Sequence, residues 1–220
     1  MLSITTLLWL IGFCAADSAL TSFGLQGVYY FIHSVHNAVI VAETHQEVWQ
    51  TLSNFGSIGT AEPNYHAAEL VFALHFYHCI YYWRKFRTDD WLHHILMIAV
   101  ALPIGVSLPA GTLLGFSLFF TTGLPGGIDY FLLFLVRNNL LHPDREKRIN
   151  TRLATWIRGP GCVAQAALTC AYLSTQNGSG FLTVLAYLSA VLNYWNGAYF
   201  AAQVIYNAGS RNIYGPQLPA

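Results

Sequence analysis

Charged residues are scarce in this chain of 220 residues, because only 9% are Asp, Glu, Lys or Arg, against roughly 25% in soluble globular domains. Hydrophobic residues make up 55% of the chain, and the mean hydropathy is +0.43. This composition excludes an ordinary soluble domain and indicates an integral membrane protein. The formal net charge is zero, so a nucleic-acid-binding function is excluded as well.

Cysteine pairs with the spacing of metal or redox sites are also missing. The four cysteines lie in apolar stretches without CxxC spacing (Cys14, Cys79, Cys162 and Cys170). We interpret them as small, buried and reduced hydrophobic side chains and predict no metal site. The sequence shows no repeat, no low-complexity segment and no second globular domain.

Long apolar runs are abundant instead, and a helix needs about 20 apolar residues to cross a bilayer. Seven runs approach that length: 2–22, 26–45, 66–86, 91–108, 110–136, 160–174 and 181–205. The predicted fold class is therefore all-α, a polytopic membrane bundle of about seven transmembrane helices. The first run lacks the basic region of a signal peptide, so we expect a retained helix. The fifth contains Leu124-Pro125-Gly126-Gly127, which is expected to kink or break it.

Lys and Arg are absent from every second connection. All ten lie between spans three and four, between spans five and six, or in the tail: Arg84, Lys85, Arg87, Arg137, Arg145, Lys147, Arg148, Arg152, Arg158 and Arg211. The positive-inside rule then places the N-terminus outside and the C-terminus in the cytosol or the equivalent organelle compartment. We expect an N-terminal transmembrane helix (1–24), a transmembrane bundle (25–206) and a tail (207–220). The endoplasmic reticulum or another endomembrane is the expected location.

Two connections carry further signals. Within the inside segment 144–158, Ile149, Leu153, Trp156 and Ile157 recur at helical spacing, which predicts a short amphipathic helix lying among the lipid headgroups. A solvated charged connector is the alternative. Asn177-Gly178-Ser179 matches the glycosylation sequon, but its loop is so short that we expect it to be unmodified.

Six histidines lie in or beside the apolar runs, in three pairs. His33/His36 and His75/His78 have i, i+3 spacing, which places each pair on one helix face, while His93 and His94 are adjacent. Ionisable side chains are costly in a bilayer, so they mark candidate functional sites. Depths counted at about 1.5 Å per residue put all six in the cytosolic half.

The same counting adds three polar residues to this zone. Asp129 also falls in the cytosolic half, and Asn193 and Asn196 fall near the middle of the seventh span. The sequence therefore predicts one polar zone to which five helices contribute.

Each residue of this zone also has a structural interpretation. Asp90 lies three residues before His93 and can orient an imidazole, or it can cap the helix together with Asp89. A histidine can be satisfied by a backbone carbonyl or a tyrosine, and Asp129 can hold the broken fifth helix together. Asp17, expected nearer the outer half, is interpreted as a packing partner.

The segment Arg87-Thr-Asp89-Asp90-Trp-Leu-His93-His94-Ile-Leu-Met resembles the TLC-domain family of multi-span membrane proteins, whose ceramide-synthase branch carries an acidic residue shortly before a His-His pair. The aromatic helix with His75 and His78 and the closing Leu192-Asn193-Tyr194-Trp195 are similar in layout, and the resemblance covers residues 25–205. It implies six spans around a cavity. The stretch Gly115–Asp129 lacks the Asn-x-x-Arg-x-Gly and His-Asp-x-x-Asp elements of ceramide synthases, so the chain is not a typical member of that branch.

The resemblance also implies site residues. The candidate catalytic residues are His93, His94, Asp90 and Asp129, with the two histidines as base or transient acyl acceptor. The candidate substrate-binding residues are His33, His36, His75, His78, Asn193 and Asn196. Acyl-CoA is a candidate substrate, and no cofactor is expected.

Three functions follow as hypotheses. The first is a TLC-type lipid-handling protein that binds an acyl lipid or acyl-CoA in a His-lined cavity on the cytosolic side, with His-assisted acyl transfer as its enzymatic form. The second is a non-enzymatic scaffold subunit of a larger membrane complex. The third is a multi-His metal-dependent oxidase or hydroxylase, although the HxxHH boxes of such enzymes are absent. The expected partners are membrane lipids and other membrane proteins.

Overall fold

The computed structural model describes residues 3–176 and 180–210, and these ranges contain helices and no strand. The predicted number of seven helices is confirmed for this part of the chain. They are α1 (Ile4–Ser22), α2 (Val28–Ser53), α3 (Tyr65–Tyr81), α4 (Thr88–Ser107), α5 (Thr112–Arg137), α6 (143–175) and α7 (Phe181–Ser210). The sequon 177–179 lies outside the described residues, as do Arg211 and the rest of the expected tail beyond Ser210. The first four residues of that tail, 207–210, belong to α7.

Three of the helices, α1, α4 and α5, are long and apolar enough to cross a membrane. Only 11–17% of the residues in their most apolar windows are buried inside the protein. Large side chains therefore point outward, as Ile4 and Leu8 do on α1 with 79% and 63% of their surface exposed. Outward apolar faces of this extent are typical of a protein surrounded by lipid. The other four helices are shorter or more polar; α3, for example, has 17 residues.

Six helices form a ring. Each contacts the next in the order α2, α5, α6, α7, α4, α3 and back to α2, while α1 packs outside against α2 and α3. Small residues permit the closest contacts: a side chain on Gly161 of α6 would overlap Phe120 of α5, and one on Gly197 of α7 would meet Cys162 of α6. Such small-residue contacts are common where helices pack in a membrane.

Helix α5 does not break at Pro125 but continues through it, with a wider helical turn just before the proline. Three π-helical turns (Met97–Ala101, Phe119–Gly123 and Ala154–Arg158) each end two residues before a proline: Pro103, Pro125 and Pro160. In each case the residue before the proline donates its amide to the carbonyl five residues back. Since proline has no amide hydrogen and its ring crowds the carbonyl four residues back, the shift from i−4 to i−5 lets the helix continue.

The amphipathic segment also differs from its prediction. Residues 143–153 are not a separate helix, because the π turn at Ala154–Arg158 joins them to Gly159–Thr175 as one helix. Within 143–153 the buried residues are Glu146, Asn150 and Leu153, whereas Trp156 of the expected apolar stripe is 76% exposed. The helix that contains the sixth apolar run is therefore longer than the run itself. It begins 17 residues earlier than the apolar run 160–174 indicates.

Candidate functional site

Five of the six paired histidines form one cluster of imidazole rings. His33 of α2 stacks on His78 of α3 with ring centroids 4.2 Å apart and an interplanar angle of 12°. His78 lies 5.3 Å from His94, and His75 lies 5.5 Å from His93. Three helices, α2, α3 and α4, thus bring the rings together close to the connection 82–87. Four of the five rings are buried, and His93 is half-buried.

Tyrosine and phenylalanine rings fill the space around this cluster. Tyr29 contacts His33 and His78, with centroids 4.3 and 5.1 Å away. Tyr130 of α5 lies 4.1 Å from His33, and Phe86 stacks on His94 at 4.4 Å. The cluster is therefore packed with aromatic side chains on these sides.

Hydrogen bonds define which ring nitrogens carry hydrogen. Nδ1 of His33, His75 and His94 each faces the backbone carbonyl four residues earlier, at 2.9, 2.7 and 2.7 Å. A carbonyl only accepts, so each of these nitrogens donates and, in the neutral ring, Nε2 has the lone pair.

The same reasoning extends to His78. Its Nδ1 lies 3.1 Å from Nε2 of His94, which is an acceptor, so His78 donates there and its own Nε2 is unprotonated. That Nε2 is buried and has no hydrogen-bond partner within the described ranges. The pair His78–His94 thus ends in one ring nitrogen with a free lone pair.

His36 does not join the cluster. Its Nδ1 lies 2.9 Å from Oδ1 of Asn37, and its ring packs edge-on against Phe13 of α1 at 5.9 Å. The i, i+3 spacing placed it near His33, but its ring turns toward Asn37. Sequence reasoning overlooked Asn37 because a single amide in an apolar run gives no distinctive signal.

The side chain of Asp90 caps α4 and does not contact an imidazole. Its Oδ2 accepts the Arg87 amide at 2.9 Å and lies 3.6 Å from Nε of Arg87. As the third residue of the helix, Asp90 is well placed to reach back in this way. It is the Asp90 carbonyl oxygen that accepts Nδ1 of His94. The predicted orienting role thus belongs to the backbone of Asp90, and the predicted catalytic role of its carboxylate has no support from this geometry.

A cavity of about 310 Å³ lies between α4, α5, α6 and α7, at the end of the bundle that lacks basic connections. Its walls are mostly aliphatic, and none of the lining residues in the described part of the chain is a histidine. Asn193 and Asn196, which the sequence predicts as candidate substrate-binding residues, line this cavity together with Ser117, Thr121 and Gln165. The cavity therefore differs from the predicted His-lined cavity, because four helices line it and it lies beyond the histidines.

Polar residues lie at both ends of the cavity, and those at its inner end include Ser117, Gln165 and Asn193. Ser117 donates to Oδ1 of Asn193 at 2.8 Å, and Nε2 of Gln165 lies 3.1 Å from the Thr169 hydroxyl. Oε1 of Gln165 is buried and, among the described residues, without a partner. A ligand in the cavity would thus meet aliphatic walls and an acceptor near the centre of the bundle.

Asp129 lies apart from the histidines, in a charged group with Arg158, Glu146 and Lys147. Glu146 is 1% exposed and pairs with Lys147, with Nζ 3.1 Å from Oε2. Arg158, assigned to a connection by its charge, instead extends into the bundle, where its guanidinium lies 5.9 Å from the Phe200 ring. The four ion pairs of residues 3–176 and 180–210 do not include Arg158.

The geometry does not favour the metal-dependent hypothesis. Among the described residues, no three His, Cys, Asp or Glu side chains are arranged to hold a metal ion. Three of the four cysteines are less buried than predicted: Cys14 and Cys79 are half-buried and Cys170 is exposed, whereas Cys162 is buried.

Comparison with known proteins identifies no relative: no family profile, no curated protein and no solved structure matches the chain.

Proposed function

We propose that this chain is a multi-pass membrane protein of the TLC type that binds an acyl lipid or acyl-CoA. The observation that carries this proposal is the cavity between α4 and α7, about 310 Å³ in volume, which falls within the roughly 300–1,000 Å³ of small-molecule sites. Its aliphatic walls suit a hydrocarbon chain, for which each buried methylene contributes about 0.8 kcal/mol. The polar residues at its inner end suit the functional group to which the chain is attached.

The histidine cluster supplies a base for acyl transfer, the enzymatic form of this function. In that reaction a base removes the proton from an attacking hydroxyl or amine while the new bond to the acyl carbon forms, and the departing thiolate of acyl-CoA takes up a proton. His78 is the preferred base, because its Nε2 carries a free lone pair. His94 orients it through the 3.1 Å contact, as the third group of a catalytic triad orients its histidine. This assignment moves the base from the His93-His94 pair to their neighbour.

Lipid binding is tested by purifying the protein in a mild detergent and identifying the bound lipids by mass spectrometry. The wild type is expected to retain an acyl lipid at near-stoichiometric amounts. Ala186→Phe, which places a phenyl ring in the cavity, is expected to lose it. Val184→Phe is the matched control, because Val184 is 64% exposed on the same helix. Equal lipid content in the wild type and Ala186→Phe would contradict the proposal.

Acyl transfer requires a separate test in cells. His94→Ala removes the acceptor of His78 and is expected to change cellular lipid composition in the same direction as His78→Ala. Unchanged lipids in both variants would exclude the enzymatic form and leave lipid binding intact.

A scaffold subunit of a larger membrane complex is the second candidate, and one observation favours it. The histidine rings are closed by Tyr29, Tyr130 and Phe86, so a substrate reaches them only if these side chains move. In this case the protein would copurify stoichiometrically with other membrane proteins, and Ala186→Phe would leave both the complex and cellular lipids unchanged.

A further inference from the structure

Two hydrogen-bond donors point toward the same place in the centre of the bundle. A side-chain carbon placed on Gly126 of α5 would lie 2.8 Å from Nδ2 of Asn37 and 3.7 Å from Nη2 of Arg158. Asn37 belongs to α2 and Arg158 to α6, so three helices meet there. Because residue 126 is glycine, no side chain of α5 stands between these two nitrogens.

Both side chains carry a buried nitrogen that has no hydrogen-bond partner within residues 3–176 and 180–210: Nδ2 of Asn37, which lies next to Gly126, and Nε of Arg158, which belongs to the same guanidinium as the Nη2 near Gly126. Asn37 is completely buried. Leaving such a group unpaired costs about 1–3 kcal/mol, and more when it is charged. The unpaired Asn37 amide beside the Arg158 guanidinium is therefore a candidate ligand site.

The orientation of the Asn37 amide is fixed by its other end. The Thr122 hydroxyl donates to Oδ1 at 3.0 Å, and Nδ1 of His36 lies 2.9 Å from the same oxygen. With two donors on the oxygen, the NH₂ group must face Gly126. This accounts for the position of His36 away from the other histidines, since its ring holds the amide in place.

The charges around the space suit a neutral or singly charged oxygen. Arg158 and Asp129 are close electrostatic neighbours, and Lys147 pairs with Glu146 beside them. The Arg158 charge is thus partly balanced, while its N–H groups remain available. A carbonyl oxygen and a carboxylate both meet this description, because each accepts two N–H donors.

Three helices place this space between the cavity and the histidines. Along α5 the order is Thr121 at the cavity, Gly126, and Tyr130 against His33. The separation from Thr121 to Gly126 is five residues, or about 7 Å of helix.

The neighbouring helices give the same order. Along α6, Gln165 lines the cavity and Arg158 lies two turns closer to the histidines. Along α7, Asn196 lines the cavity and Phe200, one turn further, contacts both Arg158 and His93.

We propose that Asn37 and Arg158 form a donor niche over Gly126 that binds the carbonyl-type oxygen of an acyl group, as a carboxylate, ester or thioester. The inference rests on the proposed function, because the hydrocarbon of that acyl group occupies the cavity. In an acyl transfer the same donors would stabilise the negative charge that develops on the oxygen, as oxyanion-binding donors do.

The test uses the full chain in detergent and three probes of equal chain length: dodecanoate, methyl dodecanoate and dodecane. Their dissociation constants report the hydrocarbon contribution and the oxygen contribution separately. With two donors available, the wild type is expected to prefer the oxygen-bearing probes over dodecane by about tenfold or more.

The variants remove the niche with little change elsewhere. Asn37→Asp keeps the oxygen that Thr122 contacts and removes the NH₂ donor. Gly126→Ala fills the space with a methyl group. Its control is Gly12→Ala on α1, whose added carbon would have no atom within 4 Å. Arg158→Lys, with the exposed Arg152→Gln as control, preserves the test should either Asn37→Asp or Gly126→Ala fail to fold.

The niche predicts that Gly126→Ala abolishes the preference for methyl dodecanoate, and that Asn37→Asp and Arg158→Lys each reduce it, while dodecane binds as before. Loss of the preference for dodecanoate alone would assign the site to free fatty acids. An unchanged preference in all three variants overturns the niche and leaves the proposed function standing. Dodecane binding that Ala186→Phe does not weaken overturns the proposed function, and absence of binding by every probe overturns both.

Discussion

Replacement of Asp17 by leucine is expected to destabilise the contact between α1 and α3. Asp17 is 5% exposed and accepts hydrogen bonds from the hydroxyls of Tyr77 and Tyr82, with Thr21 at 3.3 Å as a third donor. Tyr77 is fully buried, and it lies on the same helix as His75 and His78 of the cluster. The carboxylate therefore fixes the helix that carries two of the clustered histidines.

The magnitude follows from the groups left without partners. In Asp17→Leu the buried Tyr77 hydroxyl keeps only Tyr82, at 3.5 Å, and an unsatisfied buried hydroxyl costs about 1–3 kcal/mol. Adding the lost bond to the half-buried Tyr82, we expect a decrease of about 3 kcal/mol in the free energy of unfolding. Tyr77→Phe removes one bond and is expected to cost about 1 kcal/mol.

The double variant distinguishes this explanation from a simple loss of volume. Tyr77→Phe removes the hydroxyl that Asp17→Leu leaves unsatisfied, so the double variant should cost about 2 kcal/mol, less than the sum of the single variants. Unfolding in mixed detergent and sodium dodecyl sulfate micelles measures all three. Ile11→Val on the same helix serves as control, because Ile11 is 55% exposed, and its expected change is below about 0.5 kcal/mol. Additive costs for the two single variants would refute the argument.

Two further predictions concern the outer end and the helix contacts. Glu47 lies beyond the predicted span 26–45, and burial raises the pKa of its carboxyl group to about 7. The stability contributed by the protonated carboxyl group is fully present below the usual carboxyl pKa and is lost as the pH rises through 7. Glu47→Gln should therefore gain stability relative to wild type between pH 5 and pH 8, measured by thermal unfolding, and a pH-independent difference would contradict the assignment. Gly161→Ala would force a methyl group against Phe120 and is expected to lower stability by about 1–3 kcal/mol, whereas Gly12→Ala, with open space around it, should be neutral or stabilising; equal melting temperatures for the two would contradict the packing.

The number of helices could be predicted because hydropathy and length are properties of the chain itself. The gathering of His33, His78 and His94 also followed from simple counting, since helices that run in alternating directions bring residues at equal distances from their ends to equal depth. The depth of Asp17 was misjudged. Its partner Tyr82 follows the end of α3 at the connection 82–87, so Asp17 lies toward the basic end of the bundle and not nearer the outer half.

The donor niche could not be predicted for two physical reasons. Arg158 was assigned to a connection because it is basic and directly precedes the apolar run 160–174, and hydropathy cannot show that the helix passes through. Asn37 lacks any distinctive spacing, and its importance depends on contacts with Thr122 and Gly126, which are 85 and 89 positions away. Similarly, helical spacing placed His36 beside His33 but could not determine the direction of its ring.

The π turns before Pro103, Pro125 and Pro160 have a consequence for how this sequence can change in evolution. A π turn holds one residue more than an α turn, so each of the three turns stores a single-residue insertion inside a helix. Replacement of the proline by another residue, together with deletion of one residue of the turn, would restore a regular helix without shifting either end. Related chains that lack one residue at one of these turns would therefore have the same bundle. Residues beyond the gap would correspond to residues of this chain only when the alignment places the gap in the π turn.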